Sequence, residues 1–365
     1  MANEIGKVVI VGGGIIGCSI AYHLTEMGIP CTLVERVSIA CAASGHAGGF
    51  LARNWSDHGP TGPLSRESFD LHKKYGAMFD SDYRAVDTLE VMVKEDSKRT
   101  KSSPNVPDWV DKSVIGHTDV LGDLTNTAQV HPKKLSKCFI EAAQKKGCEV
   151  IIDQVVGVEF STEDKTFIKA VKLQNKGTLP CDKLVLAMGP WTNVANQWFG
   201  HKLPTIGACR AHHIVITPSE PVSAHALFVN YRSKDGNDNP EVYPRPDGTV
   251  YICGRTDYEP LPEHAGLVEP NSESLNFLHR VGANISSTLE GSKLETGHAC
   301  YLPLPENNVP AIGLIPNYHG KLYIAAGHSC WGILNAPATG KNLAELIVHG
   351  NSAIDLSPFD PAKFI

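Results

Sequence analysis

A glycine-rich turn between an apolar run and a helical pattern lies near the start of the chain. Residues 8–17 read VVIVGGGIIG, and a second apolar run ends at Glu35, 18 residues after Gly17 (35 − 17). In this pattern Gly12 allows the tight turn, Gly14 lets the backbone approach a pyrophosphate, and Gly17 lets the following helix pack close to the sheet. The pattern therefore predicts a strand–helix–strand unit that binds a dinucleotide.

The helix of this unit is predicted from Ile15 to Met27, and it begins where the phosphates would lie. Its first amides, at Ile15 and Ile16, and its dipole both favour an anion. Glu35 is placed to accept hydrogen bonds from a ribose diol, and a 2′-phosphate would meet its carboxylate. We therefore expect the site to reject NADP, although Arg36 beside Glu35 weakens that exclusion.

Composition limits the class of protein and its partners. The 365-residue chain is long enough for about two domains, and its 42% hydrophobic and 20% charged content is ordinary for a globular protein. A formal net charge of −6 gives no field that would indicate nucleic acid or an anionic membrane as a partner. No apolar run approaches the roughly 20 residues that a membrane-spanning helix needs, so we expect no membrane span.

Cysteine usage and the chain ends bear on location. The ten cysteines are scattered and form no CxxC pair, which favours free thiols in a reducing compartment over a disulfide framework. The first predicted strand begins at about Ile5, so no signal or transit peptide is expected before it, and the terminal Lys-Phe-Ile is not a Ser-Lys-Leu type of address. The expected location is the cytoplasm.

The remaining pattern predicts an α/β (α+β) fold in which two domains are interleaved along the sequence. Residues 206–253 alternate like antiparallel strands between polar turns, and the polar stretch 94–108 is typical of a solvated loop. Helices are predicted at about 65–79, 132–146, 272–289 and 332–349, and further strands at 85–93, 148–152, 154–160, 167–174, 183–188, 294–302 and 322–326. We predict a doubly wound GxGxxG nucleotide-binding domain of residues 1–93, 130–205 and 300–365, and an antiparallel β-rich substrate domain of residues 94–129 and 206–299.

Two further glycine-rich segments indicate additional contacts with a ligand. Residues 44–49 read SGHAGG, which is too glycine-rich for a helix or a strand and is typical of a backbone cradle. Residues 327–332 read GHSCWG and open the last predicted helix without an obvious packing reason. A plain NAD dehydrogenase would leave both segments without a ligand.

Seven segments spread over the whole chain resemble those of one enzyme family. They are VVIVGGGIIG (8–17), LVER (33–36), ASGHAGG (43–49), QVHPKKL (129–135), DKLVLAMGPWT (182–192), CYLPLPENNVPAIG (300–313) and AAGHSCWGILNAPATGKNLAELI (325–347). The chain thus resembles the FAD-dependent oxidoreductases related to D-amino-acid, glycine and sarcosine oxidases. The resemblance implies bound FAD and oxidation of the C–N bond of a small amine or amino acid by hydride transfer, with reoxidation by dioxygen to hydrogen peroxide or by another acceptor.

The resemblance also implies which residues hold FAD. The first glycine-rich turn holds the pyrophosphate, the other two glycine-rich segments surround the flavin, the strand at Val155 lies against the adenosine, and the loop 187–191 crosses the cofactor. The implied set is Gly12, Gly14, Ile15, Ile16, Gly17, Glu35, Arg36, Ser44, Gly45, Gly48, Gly49, Val155, Ala187, Gly189, Trp191, Cys300, Cys330, Trp331, Gly332, Ile333 and Leu334.

Cys300 allows two interpretations. In the sarcosine oxidase branch a cysteine at this motif position carries the flavin through a thioether, whereas most cysteines in strands are buried thiols. A reactive thiol needs an electropositive and accessible setting. We favour the buried thiol, and His298 nearby leaves the covalent case open.

The substrate side departs from the family pattern. Leu334 stands where amino-acid-specific members have a lysine for the substrate carboxylate, and residues 210–212 read Arg-Ala-His where many members read Arg-Gly-Gln. These departures weaken the case for an amino-acid substrate. Candidate partners for a substrate carboxylate are Arg53, Arg210, Arg245 and Arg255.

The candidate catalytic residues are Arg53, His46, His328 and Trp331. Either histidine could be a neutral hydrogen-bond partner instead of a base, because hydride transfer needs no strong base when the amine binds deprotonated. No metal site is expected, since strand alternation places His212 and His213 on opposite faces.

Two other functions stay open at this point. One is a FAD dehydrogenase of a hydroxy acid or a glycerol-phosphate-like alcohol, which would need clustered basic residues for a phosphate. The other is a flavin-binding regulatory protein without turnover, which the departure at Leu334 suggests. Fold alone does not separate these functions.

Overall fold

The computed structural model describes residues 5–95, 105–200, 203–234 and 236–365. Its strands are β1 (Val8–Val11), β2 (Cys31–Glu35), β3 (Phe50–Ala52), β4 (Arg84–Ala85), β5 (Asp87–Lys94), β6 (Ile115–Gly122), β7 (Thr127–Gln129), β8 (Glu149–Ile152), β9 (Val155–Phe160), β10 (Ile168–Leu173), β11 (Gly177–Pro180), β12 (Lys183–Leu186), β13 (Ile206–Thr217), β14 (His225–Ser233), β15 (Gly236–Asp238), β16 (Glu241–Pro244), β17 (Val250–Asp257), β18 (Lys293–Pro305), β19 (Ala311–Leu314) and β20 (Leu322–Ala326). Its helices are α1 (Ile15–Glu26), α2 (Ala43–His46), α3 (Gly62–Gly76), α4 (Pro132–Lys145), α5 (Asn196–Phe199), α6 (Ser272–Ile285), α7 (Ser287–Glu290) and α8 (Gly332–His349).

A six-stranded sheet carries the nucleotide-binding unit, with the strand order β19-β20-β12-β1-β2-β8. All its pairs are parallel except β19 with β20. Each residue of β1 is buried, because a parallel sheet is covered on both faces. Val8 and Ile10 pack towards α1, α4 and α8, whereas Val9 and Val11 pack towards the small antiparallel sheet β9-β10-β11.

A larger sheet stands beside it, with the path β18-β13-β17-β16-β14-β5-β6 and with β15 paired to β14. Its pairs are antiparallel except β14 with β5. One face packs against α6 through Phe277, Leu278 and Val281. The other face carries a separate buried cluster that includes Tyr243 and Tyr251.

Most predicted helices and strands are confirmed, and the differences have local causes. α8 spans the predicted residues and ends at Gly350, whose φ of +77° suits glycine. The helix predicted over 272–289 is interrupted because Ser286 is extended, with a φ of −154°. The sequence predicts no helix in the 44–49 segment, but Ala43–His46 forms one helical turn closed by a hydrogen bond from Ala47 N to Ala43 O.

The domain division remains a prediction, and two strands do not follow its boundaries. The division assigns β5 to the nucleotide-binding domain, yet this strand pairs along its length with β14 of the larger sheet. The end of β18, from Cys300 onwards, also continues in the larger sheet, since Pro305 pairs with Ile206. Most of the predicted loop 94–108 lies outside the described residues.

None of the helices in the described part of the chain combines the length and the hydropathy that crossing a bilayer requires.

A cluster of aromatic rings fixes α1 against α3 and α4. The ring of Phe139 lies 5.2 Å from Tyr22, 5.2 Å from Tyr75 and 5.9 Å from Phe79, measured between centroids. Phe139 is fully buried, so both the burial of its apolar surface and the edge-to-face packing of its ring stabilise this cluster.

We expect Phe139→Ala to lower the free energy of unfolding by about 3–5 kcal/mol, because the vacated volume cannot collapse completely. Urea unfolding of the purified protein measures this loss. The control is Phe167→Ala, since Phe167 is 37% exposed and its loss should cost no more than about 1 kcal/mol. Equal losses for the two variants would contradict the assigned packing.

Candidate active site

A cavity of about 710 Å³ opens between the two main sheets. Its walls come from the β1–α1 turn, the end of β2, the residues after β12 and β20, and strands β13, β14, β16 and β17 of the larger sheet. The volume lies in the range of cofactor and substrate pockets, roughly 300–1,000 Å³. Elements far apart in sequence therefore meet around one ligand space.

The β1–α1 turn forms one end of this cavity and requires glycine. Gly12 has a φ of +114°, and a Cβ there would lie 2.3 Å from Ala187 O. Gly14 caps α1 without a side-chain hydrogen bond, and Gly14, Ile15 and Ile16 line the cavity. Ile15 N donates to Ser44 Oγ at 2.8 Å, so the first turn of α1 presents the amides of Gly14 and Ile16 and its positive dipole end to a ligand anion.

Glu35 is held in a fixed orientation beside this turn. Its Oε2 accepts a hydrogen bond from Gly13 N at 2.7 Å and its Oε1 accepts one from Val37 N at 2.8 Å. Arg36 donates to the carbonyl oxygen and to the carboxylate of Glu263. Arg36 is thereby less available to a 2′-phosphate, which agrees with the predicted exclusion of NADP.

A second helix begins at the same cavity. α8 has Trp331 as its N-cap, without a side-chain cap, and Gly332 and Ile333 line the cavity. The turn before it bends through positive φ values at Gly327, +81°, and Ser329, +51°. Two helix N-termini thus face one space, which suits a ligand with negative charge at its centre and at one end.

These features fit FAD. The predicted cofactor residues that line the cavity are Gly12, Gly14, Ile15, Ile16, Glu35, Arg36, Ser44, Gly48, Gly49, Val155, Ala187, Gly189, Trp191, Cys300, Cys330, Trp331, Gly332 and Ile333. The fit rests on the glycine turn, where a side chain would collide with backbone, and on the two helix N-termini.

Three predicted cofactor residues do not line the cavity. Gly17 and Gly45 act through packing, since a Cβ at either would lie 2.0 Å from the carbonyl oxygen of Gly12 or Ala40. Leu334 is buried in the core, because a helix turns about 100° per residue and Ile333 occupies the cavity side. The position of Leu334 does not support a direct contact with the cofactor.

Two of the four candidate catalytic residues lie away from the cavity. Arg53 forms a bidentate ion pair with Asp70, and both nitrogen–oxygen distances are 3.0 Å. His46 packs against His298 and His213, with ring centroids 4.8 Å and 5.6 Å apart, beside a small adjoining pocket. Burial and the neighbouring charge lower the pKa of His46 to about 4. The structure therefore does not support either residue as a substrate contact.

His328 and Trp331 do line the cavity. His328 is buried, its Nε2 lies 3.1 Å from Thr339 Oγ1, and burial lowers its pKa to about 3. The imidazole is neutral at pH 7, so the structure favours a hydrogen-bonding role over that of a base.

Cys300 is buried in the cavity wall, and burial raises the pKa of its thiol to about 12. The thiolate is the nucleophilic form, and it is scarce at neutral pH with this pKa. The environment favours the buried-thiol interpretation over a covalent flavin link.

The other candidate arginines are already engaged. Arg210 pairs with Asp257 at 2.8 Å, and Arg255 pairs with Asp238 at 2.8 Å. Arg245 lies over the Tyr251 ring at 4.8 Å, behind the cavity wall. Among the described residues, the lining arginines are Arg36 and Arg255, and each has a carboxylate partner. A free guanidinium for a substrate carboxylate is therefore absent from the lining of the described part.

Sequence analysis missed the wall that the larger sheet contributes. Phe228, Glu241 and Cys253 lie side by side on β14, β16 and β17, and Tyr243 lies beside Tyr251 in the next row. All five line the cavity. Alternation along β16 predicts that Glu241 and Tyr243 share a face, but it does not say which face meets the cofactor domain.

We expect Gly12→Ala to weaken FAD binding at least about tenfold, because the new methyl group meets Ala187 O and the positive φ disfavours alanine. The FAD content per chain after desalting, read from visible absorbance, measures the effect.

The matched control is Gly177→Ala, at a φ of +78° with no atom within 4 Å of the added Cβ. This variant should keep the FAD content of the parent protein. Full FAD content in the Gly12 variant would contradict the assignment of the turn.

Comparisons with known proteins bear on the family and the fold of this chain. A family model described as FAD dependent oxidoreductase (DAO) matches residues 7–346. A protein of Schizosaccharomyces pombe whose name identifies it only as an oxidoreductase is 32% identical and is aligned over 94% of each chain. The 4-methylaminobutanoate oxidase (formaldehyde-forming) of Paenarthrobacter nicotinovorans is 26% identical, over 98% of this chain and 45% of its own.

Solved structures show the same fold. Glycine oxidase from Geobacillus kaustophilus superposes with a TM-score of 0.82 at 20% identity, over 99% of each chain. With the family model spanning most of the sequence, this chain belongs to the family of FAD dependent oxidoreductases.

Proposed function

We propose that this FAD-dependent oxidoreductase, which is of the amine and amino-acid oxidase type, oxidises the C–N bond of a small amine to an imine that water hydrolyses. The observation that carries the proposal is the composition of the cavity wall. In the wall formed by the larger sheet, Glu241, two tyrosines and Phe228 line the ligand space, while the lining arginines are ion-paired. Such a wall suits a cationic, partly apolar substrate.

FAD supplies the hydride acceptor when it is bound. The residues around the cavity bind and orient the cofactor and the substrate. The α1 amides at Gly14 and Ile16 would hold the pyrophosphate, and Glu35 would hold the ribose. The α8 N-terminus favours negative charge at its end of the cavity, by about 1 kcal/mol or somewhat more where buried.

Aromatic side chains exclude water from the reacting end. Phe50, Phe228 and Tyr243 contact one another with centroid distances of 5.0–6.0 Å, and all three line the cavity. Removing water strengthens charge interactions inside the cavity and protects the reacting carbon. No strong base is required of His328, which agrees with its low pKa.

The two alternative functions have less support. A glycerol-phosphate-like substrate would need free basic residues, and Arg36 and Arg255 are paired. A regulatory protein without turnover is distinguished from an enzyme by whether any substrate reduces the flavin. We further propose dioxygen as the electron acceptor, and the cytoplasm as the location because all ten cysteines are free thiols.

Anaerobic mixing of the FAD-loaded protein with candidate reductants tests the proposal. The panel is N-methylbenzylamine, sarcosine, glycine, lactate and glycerol 3-phosphate, and the readout is loss of the oxidised-flavin absorbance. We expect at least one amine to bleach the flavin and neither lactate nor glycerol 3-phosphate to do so. Bleaching by lactate or glycerol 3-phosphate alone would support the alcohol dehydrogenase, and bleaching by none would support the protein without turnover.

Admission of air to the amine-reduced protein tests the acceptor. We expect the absorbance to return within seconds to minutes with hydrogen peroxide formed in proportion to the flavin. A flavin that stays reduced in air would show that another acceptor is required.

A further inference from the structure

Glu241 stands in the cavity wall among neutral groups. Its Oε2 accepts hydrogen bonds from Tyr243 Oη at 2.5 Å and from Cys253 Sγ at 3.4 Å. Phe228 lies beside it on the adjacent strand. Glu241 lines the cavity, and burial raises the pKa of its carboxyl group.

No cation of the described part of the chain pairs directly with this charge, and Arg245 lies over the Tyr251 ring at 4.8 Å. Neither an ion pair nor a hydrogen bond joins Glu241 to a lysine, arginine or histidine there, and the lining arginines are paired to Asp238 and Glu263. A carboxylate in a low-dielectric wall without a counter-charge is costly for a protein to keep. A ligand cation at this position would remove the cost.

Aromatic rings surround the same place. Phe228 contacts Phe50 and Trp55, each at 5.0 Å, and Trp55 reaches Trp331 at 6.1 Å. Aromatic faces attract cations, and their edges pack against alkyl groups. The rings therefore suit an alkylated ammonium group better than an anion.

Glu241 belongs to the end of the cavity where α8 begins. Its charge acts on the thiol of Cys330, in the turn before α8, and contributes, after burial, to the raised pKa of that thiol. Glu35, at the α1 turn, instead acts on Cys41 and Cys18. Glu241 and Glu35 thus lie at different ends of the ligand space.

We propose that Glu241 binds the protonated nitrogen of the substrate, and that the substrate class is a secondary or tertiary alkylamine that needs no carboxylate. This inference rests on the proposed amine oxidation and specifies the substrate for it. After binding, the Glu241 carboxylate takes the ammonium proton. An O–H bond forms, the N–H bond breaks, and the electron pair stays on nitrogen. The free amine that results is the form from which the neighbouring carbon can give up a hydride.

The test measures binding without turnover. Phenyltrimethylammonium has no N–H bond and no nitrogen lone pair, so it reports cation recognition alone. tert-Butylbenzene has almost the same shape without the charge, and benzoate carries the opposite charge. Each probe is titrated into the FAD-loaded protein while the flavin spectrum is recorded.

We expect phenyltrimethylammonium to bind at least about tenfold more tightly than tert-butylbenzene or benzoate. Glu241→Gln keeps the shape and the hydrogen bond from Tyr243 but removes the charge, so the cation should bind at least about tenfold more weakly and benzoate more tightly. The control Glu295→Gln removes the same charge from an exposed position on β18 and should leave all three affinities unchanged.

Phe228→Leu provides a second variant in case the Glu241→Gln substitution disturbs folding. It should weaken binding of the cation more than binding of tert-butylbenzene. Benzoate binding more tightly than the cation to the parent protein, or an unchanged cation affinity in Glu241→Gln, would overturn the inference. A protein that holds FAD and is bleached by amines but shows either result would refute only the role of Glu241. A protein that no amine bleaches would refute the proposed function.

Discussion

The close contact of α1 with the parallel sheet and with α8 sets the geometry of the whole cofactor site. A Cβ at Gly17 would lie 2.0 Å from Gly12 O, and one at Gly340 would lie 2.2 Å from Ser19 Oγ. These glycines let α1 approach the sheet on one side and α8 on the other. Because both helices begin at the cavity, the same contacts fix two positive dipole ends relative to one ligand. The site for the dinucleotide therefore depends on how closely the backbones of α1, α8 and the parallel sheet pack against one another.

The larger sheet contributes the chemistry that the nucleotide-binding unit lacks. Its register places Phe228, Glu241 and Cys253 in one row across three strands, so the wall is determined by strand pairing instead of by a local motif. The arginines that could have held a substrate carboxylate are used elsewhere. Arg210 and Arg255 pair with Asp257 and Asp238. The charge left facing the ligand space at the α8 end is negative, which is why the account favours an amine over an amino acid.

Much of the cofactor site could be predicted from sequence because its signals are local. Gly12, Gly14 and Glu35 lie within one strand–helix–strand unit, and the constraint on each is set by its neighbours in the chain. The predicted residues that the structure does not support depend on long-range contacts. The sequence does not show that Arg53 is paired with Asp70, 17 residues away. Leu334 lies next to a true lining residue, and only the rotation of α8 shows that it faces the core.

Glu241 could not have been selected from the sequence. A glutamate in an alternating strand is ordinarily on a solvated face, and its neighbours Phe228 and Cys253 come from strands that the sequence does not align with it. A glutamate can be recognised as buried only when the residues that pack around it from other strands are known. The same holds for His46, whose low pKa results from burial and from His298, 252 residues away (298 − 46).

We propose that one cavity holds both the dinucleotide and an amine beside the Glu241 wall. A crystal structure of the FAD-loaded protein with phenyltrimethylammonium is the decisive measurement. We expect the adenosine ribose at Glu35, the flavin ring at the turn before α8, and the ammonium group against Glu241 and the aromatic rings. Density for the flavin ring in the space beside Glu241, with no room left for the cation, would refute this arrangement.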